Sequence, residues 1–179
     1  NWLTSALSST RITMSGAASS MMGPTPSAPH QAVGMTAAAA AQSIRALFEP
    51  RSVALLGASR KALTISGTLL KNLKGSFKGA IYPVNSAGGE IQGLPAFPTV
   101  AAIGKPIDVG IIAVPAAGVL QAVRECAEAG ANSVGVISAG FGEMGAEGQA
   151  EQERIRDFVR RSGMRMVGPN CMGILNTDP

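Results

Sequence analysis

From Ser43 onward the apolar positions alternate between short unbroken runs and stripes at helical spacing. The unbroken runs fall at 52–56, 80–84, 109–114, 133–137 and 164–167. They are apolar on both faces and meet Gly, Pro, Ser or Asn at their ends, which fits strands buried on both sides. Residues 43–48 read as a short capped helix stopped by Pro50. Ile65, Leu69 and Leu73 recur at every fourth position and predict one face of a helix ending at Gly75. Val119, Leu120, Val123, Cys126 and Ala127 form a second stripe, with Gln121, Arg124, Glu125 and Glu128 turned outward. A last helix runs from about Ala146 to Ser162, with Ile155, Phe158 and Val159 facing in. Its acids (Glu147, Glu151) come early and its bases (Arg160, Arg161) late, as the helix dipole favours. Residues 93–98 predict a turn-rich connection, and 99–103 one helical turn.

Apolar strands separated by helices imply a parallel sheet covered on both faces. Right-handed crossovers then give a doubly wound α/β domain.

Residues 1–42 follow neither pattern. They are rich in Ser, Ala, Met, Gly and Pro, carry Arg11 as their only charge, and include the Pro-broken stretch 23–29. A disordered or non-native leader is expected there, with the folded domain over 43–179. A Ser-rich, acid-free leader is similar to a transit peptide, but one arginine is too few for that pattern. Asn1 is not an initiator, so Met14 or Met35 is the candidate start.

Composition narrows the function. At 15% charged residues the chain lies below the ~25% of ordinary soluble domains, and its 22 glycines suit tight turns at strand ends. The net charge of +4 comes without a long Lys/Arg run, and only 4% of residues are aromatic. That argues against nucleic acid and is met equally well by a few cations placed for a phosphorylated small molecule. Cys126 and Cys171 lack metal-ligand spacing, and Cys126 falls on an apolar helical face. The lone histidine, His30, has no partner for metal or triad chemistry. No apolar run approaches the ~18 residues of a membrane span. The expectation is a reduced, soluble, cytoplasmic protein that engages neither nucleic acid nor membrane.

In a doubly wound sheet, ligands sit beyond the carboxyl ends of the strands. Those ends are 57–60, 83–86, 115–116, 138–141 and 168–170, and all are rich in Gly, Pro, Ser or Asn. None supplies a Ser/His/Asp or Cys/His set, and Glu143 is the only carboxylate near them in sequence. The site reads as one that holds a ligand. Gly57 ends the first strand, Ser59 and Thr64 offer hydroxyls, and Ser66-Gly67 opens a helix whose start favours phosphate. Arg60 and Lys61 add charge beside it. A βα turn needs a Gly and a cap for structure alone, so this loop by itself is open to either reading. The second strand ends Pro83-Val84-Asn85, with no acid until Glu90. An NAD site places Asp or Glu there, and its three-glycine fingerprint is absent after Gly57, so a dehydrogenase is disfavoured.

Taken in order, the segments at 47–54, 57–59, 81–85, 93–98, 112–116, 137–141 and 168–173 resemble one known module. It is the N-terminal Rossmann-type CoA-binding domain of ADP-forming acetyl-CoA synthetases, related to the succinyl-CoA synthetase α subunit. Each segment alone is weak; the ordered set, spanning about 43–179, is specific. The resemblance implies coenzyme A as the ligand, held by Ser59, Thr64, Ile65 and Ser66, by Asn85 and Ser86, and by Ser138, Ala139 and Gly140. Gly57, Arg60, Pro115 and Asn170 complete the candidate set, taken from the strand ends themselves. Two departures stand out. Relatives often carry a lysine after the Pro-Val-Asn run, where this chain has Ser86-Ala87, and Leu63 replaces a usual glycine. The first implies weak recognition of the ligand's 3′-phosphate.

By the same resemblance, the parent protein joins an acid, CoA and a nucleoside triphosphate through an acyl phosphate and a phosphohistidine in a later domain. This chain is then expected to be a fragment whose partners are the remaining synthetase domains or subunit. The alternatives are the same module fronting a protein acetyltransferase, or a stand-alone CoA- or nucleotide-binding regulator.

Overall fold

The computed structural model describes residues 37–173. In chain order these form α1 (Ala37–Phe48), β1 (Ser52–Leu56), α2 (Ile65–Ser76), β2 (Ala80–Val84), β3 (Gly89–Ile91), β4 (Leu94–Ala96), β5 (Val109–Ile112), α3 (Ala116–Glu128), β6 (Ser133–Val136), α4 (Ala146–Ser162) and β7 (Arg165–Val167). Five strands make one parallel sheet in the order β2-β1-β5-β6-β7. The chain steps one way from β1 to β2 and the other way from β5 onward, so the winding reverses between β1 and β5. That reversal opens a crevice at the carboxyl ends of those two strands.

Alternation along the strands divides the core. Ala54, Leu56, Val84, Ile112, Val134 and Val136 pack against Val119, Val123 and Cys126 of α3 and Ile155 and Val159 of α4. Leu55 and Ala58 pack instead with Leu70 of α2 and with Ile91 and Ala96 of the β3–β4 hairpin. Each fully buried Leu or Ile contributes roughly 1.5–3 kcal/mol. Gly110 lets α3 lie close on β5, since a Cβ there would stand 2.5 Å from the Cys126 sulfur. At the opposite end, the Asp108 carboxylate accepts from the backbone N–H groups of Arg51 (2.8 Å) and Ser52 (3.2 Å). The Ser52 hydroxyl accepts from the Asp108 N–H at 2.9 Å, which fastens the starts of β1 and β5 together.

Several expectations need correction. α1 begins at Ala37 and not at Ser43, because residues 37–41 are a run of alanine, the strongest helix former. Of the leader expected over 1–42, residues 37–42 belong to α1, and 1–36 lie outside the described residues, as do 174–179. β5 and β6 stop at Ile112 and Val136, short of the apolar runs that contain them, and β7 starts at Arg165. Where only a turn was expected, 89–96 form an antiparallel hairpin. Gln92 (φ 51°) and Gly93 (φ 80°) are both left-handed at its tip, as a tight hairpin turn requires. The Gln92 amide donates to the Gly67 carbonyl at 2.9 Å, which ties the hairpin to α2. The inward face of α2 also differs. Ser66, Gly67 and Leu70 are buried, Leu69 and Leu73 are half-buried, and Ile65 is 70% exposed. The helix is rolled because Gly67 sits tight on the preceding loop, where a Cβ would come 2.1 Å from the Lys61 carbonyl oxygen. The expected turn near 99–103 is present as a 3-10 turn at Ala101–Ile103.

Candidate functional site

The loop after β1 is built around two glycines. Gly57 takes φ +81°, and a Cβ there would stand 2.5 Å from the Ala113 carbonyl oxygen, so the backbone of β1 passes against that of β5 with no room for a side chain. Its N–H and that of Ala58 both donate to the Val84 carbonyl, at 3.0 and 3.1 Å. The Ser59 hydroxyl accepts from the Lys61 N–H at 3.1 Å. Thr64 caps α2: its hydroxyl oxygen accepts from the Gly67 N–H at 3.1 Å and donates to the Lys61 carbonyl at 2.8 Å. The N–H groups of Ile65 and Ser66 precede the first intrahelical bond, and among the described residues no capping bond reaches them. They face the loop at the positive end of a twelve-residue helix, a suitable place for a phosphate.

The loop after β2 is joined to this one at two points. The Asn85 amide nitrogen donates to the Ala58 carbonyl at 2.9 Å, and its amide oxygen accepts from the Ala87 N–H at 2.9 Å. The Arg60 guanidinium reaches across and donates to the Gly88 carbonyl. Ser86, between them, is exposed.

The remaining strand ends form a second group. Pro115 opens α3. The Ser138 hydroxyl donates to the Val114 carbonyl at 2.5 Å, joining the loops after β5 and β6. Asn170, left-handed at φ 55°, donates its N–H to the Ser138 carbonyl at 3.0 Å, joining the loops after β6 and β7. Gly140 (φ +105°) lies where a Cβ would be 3.1 Å from that of Ala116, and Ala139 beside it is exposed. The Gly140 N–H donates to the Glu143 carboxylate at 2.6 Å, and the Asn170 amide lies at 3.5 Å from the same oxygen. The Gly140 hydrogen bond, with those of Glu143's own N–H and of Phe141, holds the Glu143 carboxyl below the usual carboxylate range.

The structure therefore collects Gly57, Ser59, Arg60, Thr64, Ile65, Ser66, Asn85 and Ser86 around the ends of β1 and β2. Pro115, Ser138, Ala139, Gly140 and Asn170 gather around the ends of β5, β6 and β7, with the switch point between the groups. A cleft of about 300 Å³ opens beside the first group, lined by Gly57, Asn85 and Ser86 and by Gly118, Gln121 and Glu125 of α3. Gln121 and Glu125 were expected on the outward face of α3, and Gln121 is exposed and Glu125 half-buried. They line the cleft because α3 and α4 cover β5, β6 and β7 and leave this side of β1 and β2 partly open. Nothing in the local sequence marks them, and Glu143 is thus not the only carboxylate near the strand ends. A hollow of about 360 Å³ lies at the other end of the sheet, bordered by Arg45, Glu49, Arg51 and Asp108. Those charges pair with each other, Arg45 with Glu49 at 3.0 Å and Arg51 with Asp108 at 3.8 Å, at the strand starts, where such folds do not bind ligands.

Among the described residues no group of three or more His, Cys, Asp or Glu side chains is placed to hold a metal ion. No helix among them is long and apolar enough to cross a membrane. Cys126 is buried in the core as its stripe predicted, and burial pushes its thiol up to about 12. What the strand ends offer is backbone N–H groups, hydroxyls, amides and two cations, a set for gripping a phosphorylated ligand.

A family model described as a CoA binding domain matches residues 51–177. The chain is 42% identical over 130 residues to the ADP-forming acetate–CoA ligase II subunit alpha of Pyrococcus furiosus, covering 73% of this chain and 28% of that subunit. It is 40% identical over 136 residues to a trans-feruloyl-CoA synthase from an unknown prokaryotic organism, covering 75% of this chain and 19% of that protein. Among solved structures it is similar to the dinucleotide-forming acetyl-coenzyme A synthetase 1 of Ca. Korarchaeum cryptofilum in complex with phosphate and ADP. That match has a TM-score of 0.70 and 34% identity, and covers 74% of this chain and 28% of that one. The chain thus spans less than a third of the length of each of these relatives.

Proposed function

The chain belongs to the CoA-binding domain family, and from that membership we propose that it is the coenzyme A-holding part of a longer, ADP-forming acyl-CoA synthetase. The observation that carries the reading is the similarity to ligases that make acyl-CoA, joined to a strand-end crevice with phosphate-ready groups and, among the described residues, no nucleophile–base pair.

In this reading the pyrophosphate of coenzyme A lies at the start of α2, on the N–H groups of Ile65 and Ser66, with Ser59 and Thr64 shaping the loop. The adenosine ribose lies at Asn85 and Ser86, beside the cleft. The pantetheine arm crosses the switch point past Gly57 and Pro115 toward Ser138, Ala139, Gly140 and Asn170. From β2 to β6 there are three inter-strand steps, roughly 14 Å at ~4.8 Å each, which the extended arm spans. The thiol then emerges on the β6–β7 side.

Coenzyme A fits these residues because both halves of the crevice present backbone at close range. The clash that a Cβ would cause at Gly57 and Gly67 shows how tightly the first loop is folded, with the Ile65 and Ser66 N–H groups left at the start of α2 for the ligand. The domain contributes binding and orientation. Activation of the acid by nucleoside triphosphate falls to the parts of the parent protein outside this chain, which are its partners. The acid is set there too, since the relatives include an acetate and a feruloyl enzyme. We place the parent protein in the cytoplasm.

Titration calorimetry of this chain with coenzyme A and with NAD tests the reading. Coenzyme A is expected to bind and NAD to bind more weakly or not at all. Tighter binding of NAD, or heat from neither, overturns it.

A further inference from the structure

In dinucleotide-binding sheets of this kind the end of β2 decides which ribose is accepted. A carboxylate there bonds the free hydroxyls, whereas an arginine nearby accommodates a phosphate on the ribose. Here β2 runs into Asn85, Ser86, Ala87, Gly88 and Gly89, which carry no charge. The charge arrives from the neighbouring loop. Arg60 donates to the Gly88 carbonyl, and its terminal nitrogen stands 3.4 Å from the place a Cβ would occupy on Gly89. The guanidinium thus lies over the turn that follows β2.

Three features make this cation a ligand group and not merely a strut. Arg60 takes part in none of the ion pairs among the described residues. Among the described residues its anchor is one neutral carbonyl, so most of the five N–H donors of the fork are unused by them. The two loops are already fastened by Asn85 to Ala58, so the arginine is not needed to hold them. The first acid after β2, Glu90 on β3, is exposed and not paired with it. A planar, always-charged fork held in place by one of its donors is preorganised for bidentate phosphate.

We propose that Arg60 binds the 3′-phosphate of the coenzyme A ribose and is the residue by which this domain distinguishes coenzyme A from its dephospho form. The inference rests on the reading of the site as a coenzyme A site. It replaces the expectation of weak 3′-phosphate recognition, which followed from the uncharged Ser86-Ala87. The cation comes from the loop after β1, 28 residues away from the carbonyl that anchors it.

The experiment is calorimetric titration of the chain and of its Arg60→Ala and Arg60→Lys variants with coenzyme A and with dephospho-coenzyme A. Charge-assisted hydrogen bonds of this kind correspond to a preference of about tenfold or more for coenzyme A in the unmodified chain. Arg60→Ala is expected to bring the two ligands within about twofold of each other while dephospho-coenzyme A binds as before, and Arg60→Lys to keep part of the preference. A preference that survives in Arg60→Ala overturns the inference. So does an equal loss for both ligands with a lowered Tm, which is the signature of a strut. If the unmodified chain binds both ligands equally, the inference falls and the coenzyme A site stands; if it binds neither, both fall.

Discussion

The side-chain amide of Asn85, at the end of β2, donates to the carbonyl oxygen of Ala58, beyond the end of β1, at 2.9 Å. Its amide oxygen accepts from the Ala87 N–H at the same distance. One residue thus sets both its own turn and the height of the loop that shapes the start of α2.

Asn85→Ala is therefore expected to loosen the phosphate-facing loop from the second strand. The cost in stability should be about 1–3 kcal/mol, because the carbonyl of the buried Ala58 loses its donor. Coenzyme A affinity should fall with it. Asn85→Asp keeps the acceptor for Ala87 but turns the donor into a charged oxygen facing the Ala58 carbonyl, so it should bind coenzyme A more weakly than the alanine variant. Melting curves and calorimetry on the two variants check this, and an aspartate variant that binds as well as the original would contradict it.

Gly57 and Gly104 separate two reasons for keeping a glycine. Both are left-handed, at φ +81° and +62°, but a Cβ on Gly57 meets the Ala113 carbonyl oxygen at 2.5 Å and one on Gly104 meets nothing within 4 Å. Gly104→Ala should cost only the backbone term, about 1–2 kcal/mol. Gly57→Ala should cost more, since β1 must move away from β5 at the switch point, and it should also weaken coenzyme A binding. Equal Tm values for the two variants would show that the close approach at Gly57 carries no weight.

The two thiols should report folding and site separately. Cys126 is fully buried between α3 and the sheet, and its pKa is raised from 9.0 to about 12, first by burial and then by the Glu125 charge. Cys171 is half-buried at the end of β7. At pH 8 a thiol reagent should label Cys171 readily and Cys126 only on unfolding. The raised pKa has a definite sign: the folded state holds the proton more tightly, so its contribution is complete below pH 9 and is lost as pH rises from 9 toward about 12. Rapid labelling of Cys126 in the native chain, found by mass spectrometry of the peptide, would contradict this packing.

The sheet was legible because its strands are short apolar runs that end at a residue with a reason to end them. β1 and β2 stop at Leu56 and Val84, next to Gly57 and Asn85, where the sequence places them. α4 runs from Ala146 to Ser162 as expected, since Gly163 takes the left-handed C-cap. Once the strand ends are known, the topology alone assembles the candidate loops. The rest depends on contacts far apart in sequence. The β3–β4 strands are three residues each and one contains Pro95, so periodicity has nothing to act on. The rolled face of α2 goes with the close approach of Gly67 to the Lys61 carbonyl, not with the spacing of its leucines. Gln121 and Glu125 read as an outward helical face, and only the strand order places that face beside Asn85 and Ser86. The link from Arg60 to Gly88 joins two loops that no local pattern relates.

Glu143 ties down the loop after β6. Its carboxylate accepts from the Gly140 N–H at 2.6 Å, the largest of the causes that lower its pKa from 4.5. A carboxylate with a lowered pKa keeps its interaction above the ordinary value and loses it as pH falls through the lower folded value. The loop should therefore be held by Glu143 throughout neutral and mildly acid conditions, and released only below pH 4.5. Because the group is fully exposed, the release should be local and leave the sheet folded. In a proton–nitrogen correlation spectrum the Gly140 amide should shift with an inflection below 4.5, and the Asn170 side-chain amide should follow weakly from its 3.5 Å distance. Glu143→Gln keeps an acceptor oxygen but removes the titration, so the inflection should vanish while the amide stays hydrogen-bonded. An inflection that persists in the glutamine variant would assign the shift to another group. One at or above the ordinary carboxylate value would mean that the Gly140 bond does not hold the charged form.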